Sequence, residues 1–357
     1  MDISYYGATR EVTGSCCLLR VGEHQLLVDC GLIQGNPQHE EQNRDPFPFK
    51  PSEIDAVVLT HAHLDHSGRL PLLVNQGFKG PIHTHRATAD LCRIMLEDAG
   101  YLNEKDVAWE NRKRQRQAKQ LVSPLYTQKA ACLAHQQFRS LEYGKSRKIL
   151  PGITLTLRDA GHILGSAIAQ LDLKEGTQRC RLVFSGDLGH AGAPILRDPE
   201  PVRKADLVAM ESTYGNRLHR PWEDTWREMG EVLSHAHSAR GNVLIPAFAV
   251  GRTQELLYVF KQHYEEWGLG QWRIFLDSPM AIKATRVYQK HGRVYDSRAR
   301  EILEKIGDPF DMPNVTMSRH STQSMEINKM DSGAIVIAGS GMCTGGRIIH
   351  HLKHNAW

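Results

Sequence analysis

The chain is short of the features that would assign it quickly. It holds no run of 18 apolar residues, so nothing in it reads as a transmembrane span. Its start, Met1-Asp2-Ile3-Ser4-Tyr5-Tyr6-Gly7, lacks the basic stretch and apolar core of a secretory signal. Cysteines are few and scattered: Cys16, Cys17, Cys30, Cys92, Cys132, Cys180 and Cys343. Their number is odd and no two form a Cys-x-x-Cys pair, which argues against a disulfide framework and against a thiolate zinc site. A reducing, cytoplasmic setting is the expectation. Excess charge of one sign is also scarce. The 44 Lys and Arg nearly balance the 40 Asp and Glu, for a net charge of +4. That balance permits an acidic partner such as nucleic acid without demanding one. There is no internal repeat and no low-complexity tract. What remains is 357 residues, 41% hydrophobic and 24% charged, enough for about two globular domains.

Against this background one segment stands out: His61-Ala62-His63-Leu64-Asp65-His66. Three imidazoles and a carboxylate follow an apolar run, Ile54 to Thr60, that reads as a buried strand. A ligand cluster on the loop after a strand is where a rigid sheet presents chemistry. Imidazole and carboxylate together suit zinc or other borderline first-row metals. Two further positions have the same placement. His162 in Gly161-His162-Ile163-Leu164-Gly165 and Asp187 in Ser185-Gly186-Asp187-Leu188-Gly189 each follow an apolar strand.

The texture changes along the chain. Short strands are expected at 26–28, 80–84, 153–157, 167–171 and 181–184, and a helix from Ala87 to about Gly100. The basic run Arg112-Lys113-Arg114-Gln115-Arg116 reads as a solvated helical face, with phosphate binding as the alternative. Beyond residue 205, apolar strands at 207–210, 242–245 and 273–276 alternate with helical segments, which predicts a parallel sheet. The expected domains are 1–205 and 206–357.

The order Asp29, His61 to His66, His162, Asp187 resembles the metallo-β-lactamase superfamily. Glu211-Ser212-Thr213-Tyr214-Gly215-Asn216-Arg217 looks like the first motif of its β-CASP nucleases. Phe248 to Leu256 and Ser340 to Arg347 are similar to further segments of the RNA-processing branch, which includes polyadenylation-specificity endonucleases. The resemblance implies an α/β fold: an αββα sandwich with an inserted β-CASP domain built on a parallel sheet. It implies two zinc ions. His61, His63 and His162 would hold one, Asp65 and His66 the second, and Asp187 would bridge them, with Asp29 supporting the site. It further implies hydrolysis of single-stranded RNA phosphodiester bonds, internally or from a 5′ end, by a metal-bridged hydroxide. Asp65 and Glu211 would serve catalysis. Arg252, Gly341, Gly345, Gly346 and Arg347 would hold RNA phosphates. No membrane is implied, and a homodimer is a further expectation. The alternatives are a non-catalytic RNA-binding subunit and a small-molecule metallo-hydrolase. In the family the polypeptide normally continues past the equivalent of His350 to Trp357 and returns to the first domain with another histidine ligand. The expectation is therefore a C-terminally truncated chain whose second domain is incomplete and exposes apolar surface, and whose second zinc site is weakened.

Overall fold

Apolar residues at every second position set the architecture of the first part of the chain. The computed structural model describes residues 1–355. Among them, β1 (Asp2–Tyr5), β2 (Cys17–Val21), β3 (His24–Val28), β4 (Ala56–Val58), β5 (Ile82–His85) and β6 (Phe138–Leu141) form one sheet in that order. β7 (Ser146–Leu150), β8 (Ile153–Asp159), β9 (Ala167–Glu175), β10 (Gln178–Phe184) and β11 (Leu207–Ala209) form a second, ordered β11-β10-β9-β8-β7. Leu19 and Val21 of β2 and Leu26 and Val28 of β3 share one buried core with Leu155, Leu157, Leu171, Leu173 and Leu182. These residues alternate along their strands, so one face of each sheet is sealed against the other. Each fully buried Leu there contributes about 2 kcal/mol.

β3 to β6 pair in parallel, and β4 is buried along its whole length, as a strand covered on both faces must be. The helix expected from Ala87 runs from Arg86 to Arg116. Its first half buries Ala87, Leu91, Cys92 and Leu96. The basic run forms its last turn, where cations suit the helix dipole.

Residues 1–161, 165–189 and 199–215 make up the first unit. The boundary expected at residue 205 falls within the last of these segments. Leu207–Ala209 pairs in parallel with Leu182 to Phe184 in the first unit's sheet and takes no part in the later one. A three-residue apolar strand does not signal which sheet it joins. Leu207 and Val208 are exposed along it, as is Met210 just beyond its end.

The second unit holds residues 162–164, 190–198 and the chain from Asn216 onward. Its sheet is parallel throughout: β12 (Val243–Pro246), β13 (Arg273–Leu276), β14 (Val315–Met317) and β15 (Ala334–Ala338), ordered β12-β15-β13-β14. β15, the apolar run Ala334-Ile335-Val336-Ile337-Ala338, is buried at every position and lies inside the sheet. The two-sheet sandwich and the separate parallel α/β sheet match the expected fold class. No helix among the described residues is long and apolar enough to cross a membrane.

Candidate metal centre

The histidine segment is held by backbone before any ligand is considered. β4 ends at Val58, and the chain turns at His63, whose carbonyl accepts the N–H groups of His66 and Ser67. The turn is stitched to a neighbouring loop. Ser15 N–H donates to the Asp65 carbonyl at 2.8 Å, Cys30 N–H to that of His66 at 2.7 Å, and Leu32 N–H to that of Leu64 at 2.8 Å. Gly31 makes this stitching possible. A Cβ at position 31 would lie 1.5 Å from the Asp65 carbonyl oxygen.

Side chains then converge. His61, His63, His162 and Asp187 form one group in which each offers a ligand atom, all within 4.8 Å of one another. Asp65, His66 and Asp187 form a second group by the same measure, so Asp187 belongs to both. His66 Nε2 lies 3.2 Å from Asp187 Oδ1 and 3.8 Å from Asp65 Oδ2. His61 and His66 are buried, their ring centroids 4.0 Å apart. All six ligand positions expected from the sequence are brought together.

Asp29 supports this cluster from behind. It is buried, and its Oδ1 accepts the Thr60 N–H at 2.8 Å. Its Oδ2 accepts the Thr60 hydroxyl at 2.9 Å and meets His66 Nδ1 at 2.7 Å. A carboxylate only accepts, so the proton of that last bond sits on Nδ1 and the other ring nitrogen faces Asp65 and Asp187. Such a partner fixes the ring of a metal-ligating histidine.

The electrostatics favour a cation. Burial raises the Asp65 carboxyl above its ordinary pKa. The His66 charge pulls it back, and the nearby Asp187 charge adds to the rise. Burial opposes charge on His66, but the Asp29 and Asp187 carboxylates outweigh it and hold its pKa well above the usual histidine range. Two neighbouring carboxylates therefore recruit positive charge, which a divalent ion would supply in place of protons. The donor set of imidazole nitrogens and carboxylate oxygens fits a borderline first-row metal.

Glu211 sits at the end of β11 in the first unit. Its Oε1 accepts the Leu188 N–H at 2.8 Å, and its own N–H donates to Ser185 Oγ at 3.1 Å. It therefore clamps the loop that carries Asp187. One carboxylate oxygen of Glu211 is thus anchored beside Asp187. A cavity of about 430 Å³ opens over Asp65, His66, Asp187 and Glu211. Arg10, Glu11 and Ser15 also line it. The sequence reading missed these residues, and it missed Thr60. No spacing pattern marks a hydroxyl or an arginine contributed by a distant loop.

The expected phosphate contacts lie in the second unit. Arg252 opens the helix Arg252–Gln262, half-exposed, with Nη1 2.7 Å from Glu255. The loop from Gly339 to Gly346 is closed by Ser340 N–H on the Gly345 carbonyl and Ile348 N–H on the Gly339 carbonyl. Arg347 donates to the buried Asp277 at 2.6 Å and to the carbonyls of Ser318 and Arg319, which ties it to the fold.

Comparisons with known proteins agree with the geometry. A Metallo-beta-lactamase superfamily model matches residues 9–230, and a Beta-Casp domain model matches residues 253–357. The chain is similar to Ribonuclease TTHA0252 of Thermus thermophilus, with 41% identity over 354 residues, covering 99% of this chain and 76% of that protein. It is similar to Transcription termination factor FttA of Methanocaldococcus jannaschii, with 32% identity over 361 residues. That alignment covers 99% of this chain and 54% of the factor, so the chain spans about half of the factor's length. A solved structure of a protein of unknown function from Enterococcus faecalis V583 aligns with a TM-score of 0.51 and 12% identity, covering 95% of this chain and 77% of that one. That likeness is one of fold.

Proposed function

The chain belongs to the metallo-beta-lactamase superfamily, in the group that carries a Beta-Casp domain, and from that premise we propose a zinc-dependent ribonuclease acting on single-stranded RNA. The observation that carries the reading is the sharing of Asp187 between two adjacent donor groups. Such a pairing suits two ions acting on one phosphate, and relatives at this level of identity include a named ribonuclease. His61, His63 and His162 would hold one ion, Asp65 and His66 the other, and Asp187 both. Bound there, the ions would supply Lewis acidity, making water more acidic and offsetting charge that develops on the phosphate.

The chain's own residues do the rest. Asp65 faces the cavity and accepts the proton that an attacking water gives up. Asp29 keeps the His66 ring in one orientation, and Glu211 holds the Asp187 loop. In the second unit, Arg252 and the N–H groups of Gly341, Gly345 and Gly346 are the candidate phosphate contacts. Those three N–H groups make no hydrogen bond among the described residues. The free cysteines suit a cytoplasmic setting. The expected homodimer has no support and forms no part of the proposal.

Metal analysis of the purified chain, paired with cleavage of labelled single-stranded RNA with and without chelator, tests this. Bound zinc and chelator-sensitive cleavage are expected, with zinc content reduced and cleavage lost in His63→Ala. RNA binding without stoichiometric metal would favour a non-catalytic RNA-binding subunit. Metal without RNA binding or cleavage would favour a small-molecule hydrolase.

A further inference from the structure

The first unit carries a second concave surface. It lies at the end of the β8–β9–β10 sheet away from the metal ligands. Asp187 follows the C-terminal end of β10, whereas this groove is lined by the strand's start and by the end of β9. Along β9 the two ends are roughly 20 Å apart. The groove measures about 990 Å³, and Lys148, Lys174, Arg179, Arg203 and Lys204 line it. All five are exposed, and none forms an ion pair among the described residues.

The groove is built. Gly152 sits at φ +73°, and its carbonyl accepts the Lys174 N–H at 2.8 Å, which fixes the β7–β8 turn against the end of β9. Arg181 N–H donates to the Asp206 carboxylate at 2.6 Å, and Asp206 N–H donates to the Arg181 carbonyl, so the 203–206 segment is tied to β10. The two carboxylates in the groove are thereby engaged, since Asp172 accepts Arg181 Nε at 2.6 Å.

The sheet face itself calls for an anion. Lys174 and Arg179 are directly opposed across β9 and β10. Like charges in that position destabilise a sheet. Nearer the metal end, the same outward face turns apolar and is covered: Ile168 and Val183 pack with Leu188 and Val202. Unneutralised cations are thus gathered at the end left open.

We propose that this groove is a second RNA-binding site, which holds the phosphate backbone of the substrate strand away from the metal centre. The inference rests on the ribonuclease reading. Opposed Lys and Arg side chains that are costly alone are relieved when phosphates lie between them, and each contact releases counterions. The groove is open and far larger than one phosphate, which suits a chain of them.

The test measures binding of a labelled, phosphorothioate-linked single-stranded RNA, which keeps its charge and resists hydrolysis. RNA longer than about 16 nucleotides is titrated across a range of salt against the metal-loaded full chain and against Lys174→Gln/Arg179→Gln/Arg203→Gln. Removal of three phosphate contacts lowers the slope of log K against log salt by about 2. The variant is also expected to melt no lower than the parent, because a like-charged pair has gone. Equal slopes for the two proteins would overturn the groove proposal while leaving the ribonuclease reading intact. Failure of the parent chain to bind RNA at all would overturn both. Loss of poly-glutamate binding in the variant, with RNA binding unchanged, would reassign the groove to an acidic protein and overturn the RNA assignment.

Discussion

Asp29 sits at φ +59°, a left-handed conformation that aspartate tolerates better than most side chains but still at a cost. The return is geometric. At that angle the carboxylate reaches back over the end of β3 to meet Thr60 and His66 together. Asp29→Asn replaces one acceptor oxygen with a donor, which must then face either the Thr60 N–H or the protonated Nδ1 of His66. The fold should survive, and affinity for zinc at the Asp65, His66 and Asp187 group should fall by about 10–100-fold, read by competition with a chromogenic chelator. Unchanged affinity would mean that His66 is held by the Gly31 stitching alone. At this scale the sequence was informative about ligands and poor about their supports. The six clustered positions were legible because histidine and aspartate after apolar strands carry a chemical signature. Thr60, Ser15 and the clamp made by Glu211 were not, because a hydroxyl or a carboxylate on backbone N–H groups is set by tertiary contact.

At the scale of elements, the C-terminal end of β13 organises much of the second unit. Asp277 is fully buried and accepts Arg347 Nη1 at 2.6 Å, His351 Nε2 at 2.7 Å and Ser324 Oγ at 2.5 Å. It thereby joins the helices Ser321–Ile327 and Ile348–His354 to the sheet. Burial pushes its carboxyl up, but the bonds from His351, Ser324 and Arg347 outweigh that and hold it below the ordinary range. A lowered folded-state value gives stability that is complete above the unfolded pKa near 3.9 and is lost as pH falls through the lowered value. At pH 7, Asp277→Asn should therefore cost about 3 kcal/mol in urea unfolding. A loss well under about 1 kcal/mol would show that the cluster adds little to the fold. No sequence pattern marks this cluster, since the three partners lie 47 to 74 residues away. Strands β12 and β13 were legible as apolar runs, whereas β14, only Val315-Thr316-Met317, was too short to register. The helix Arg86–Arg116 outran its expected end because its polar second half has no apolar period to read.

For the whole molecule, metal and folding are linked. An ion that binds only the folded chain stabilises it by RT ln(1 + [M]/Kd), about 2.7 kcal/mol at a hundredfold excess over Kd. Chelation should therefore lower the melting temperature, zinc should restore it, and His63→Ala should shrink the difference, all followed by differential scanning fluorimetry. Indifference of the melting point to chelator would argue against a tight site. The route of the chain carries a further consequence. Residues 190–198 belong to the second unit, where Leu196 bridges Tyr295 and Asp296 N–H donates to the Ile195 carbonyl at 2.7 Å. The chain then returns to the first unit before the second resumes at Asn216. The second unit is thus not a cassette that one pair of cuts could lift out. A fragment begun at Asn216 would leave the Tyr295 bridge without its partner strand, so recombination that exchanges this unit between relatives must carry the 190–198 segment with it.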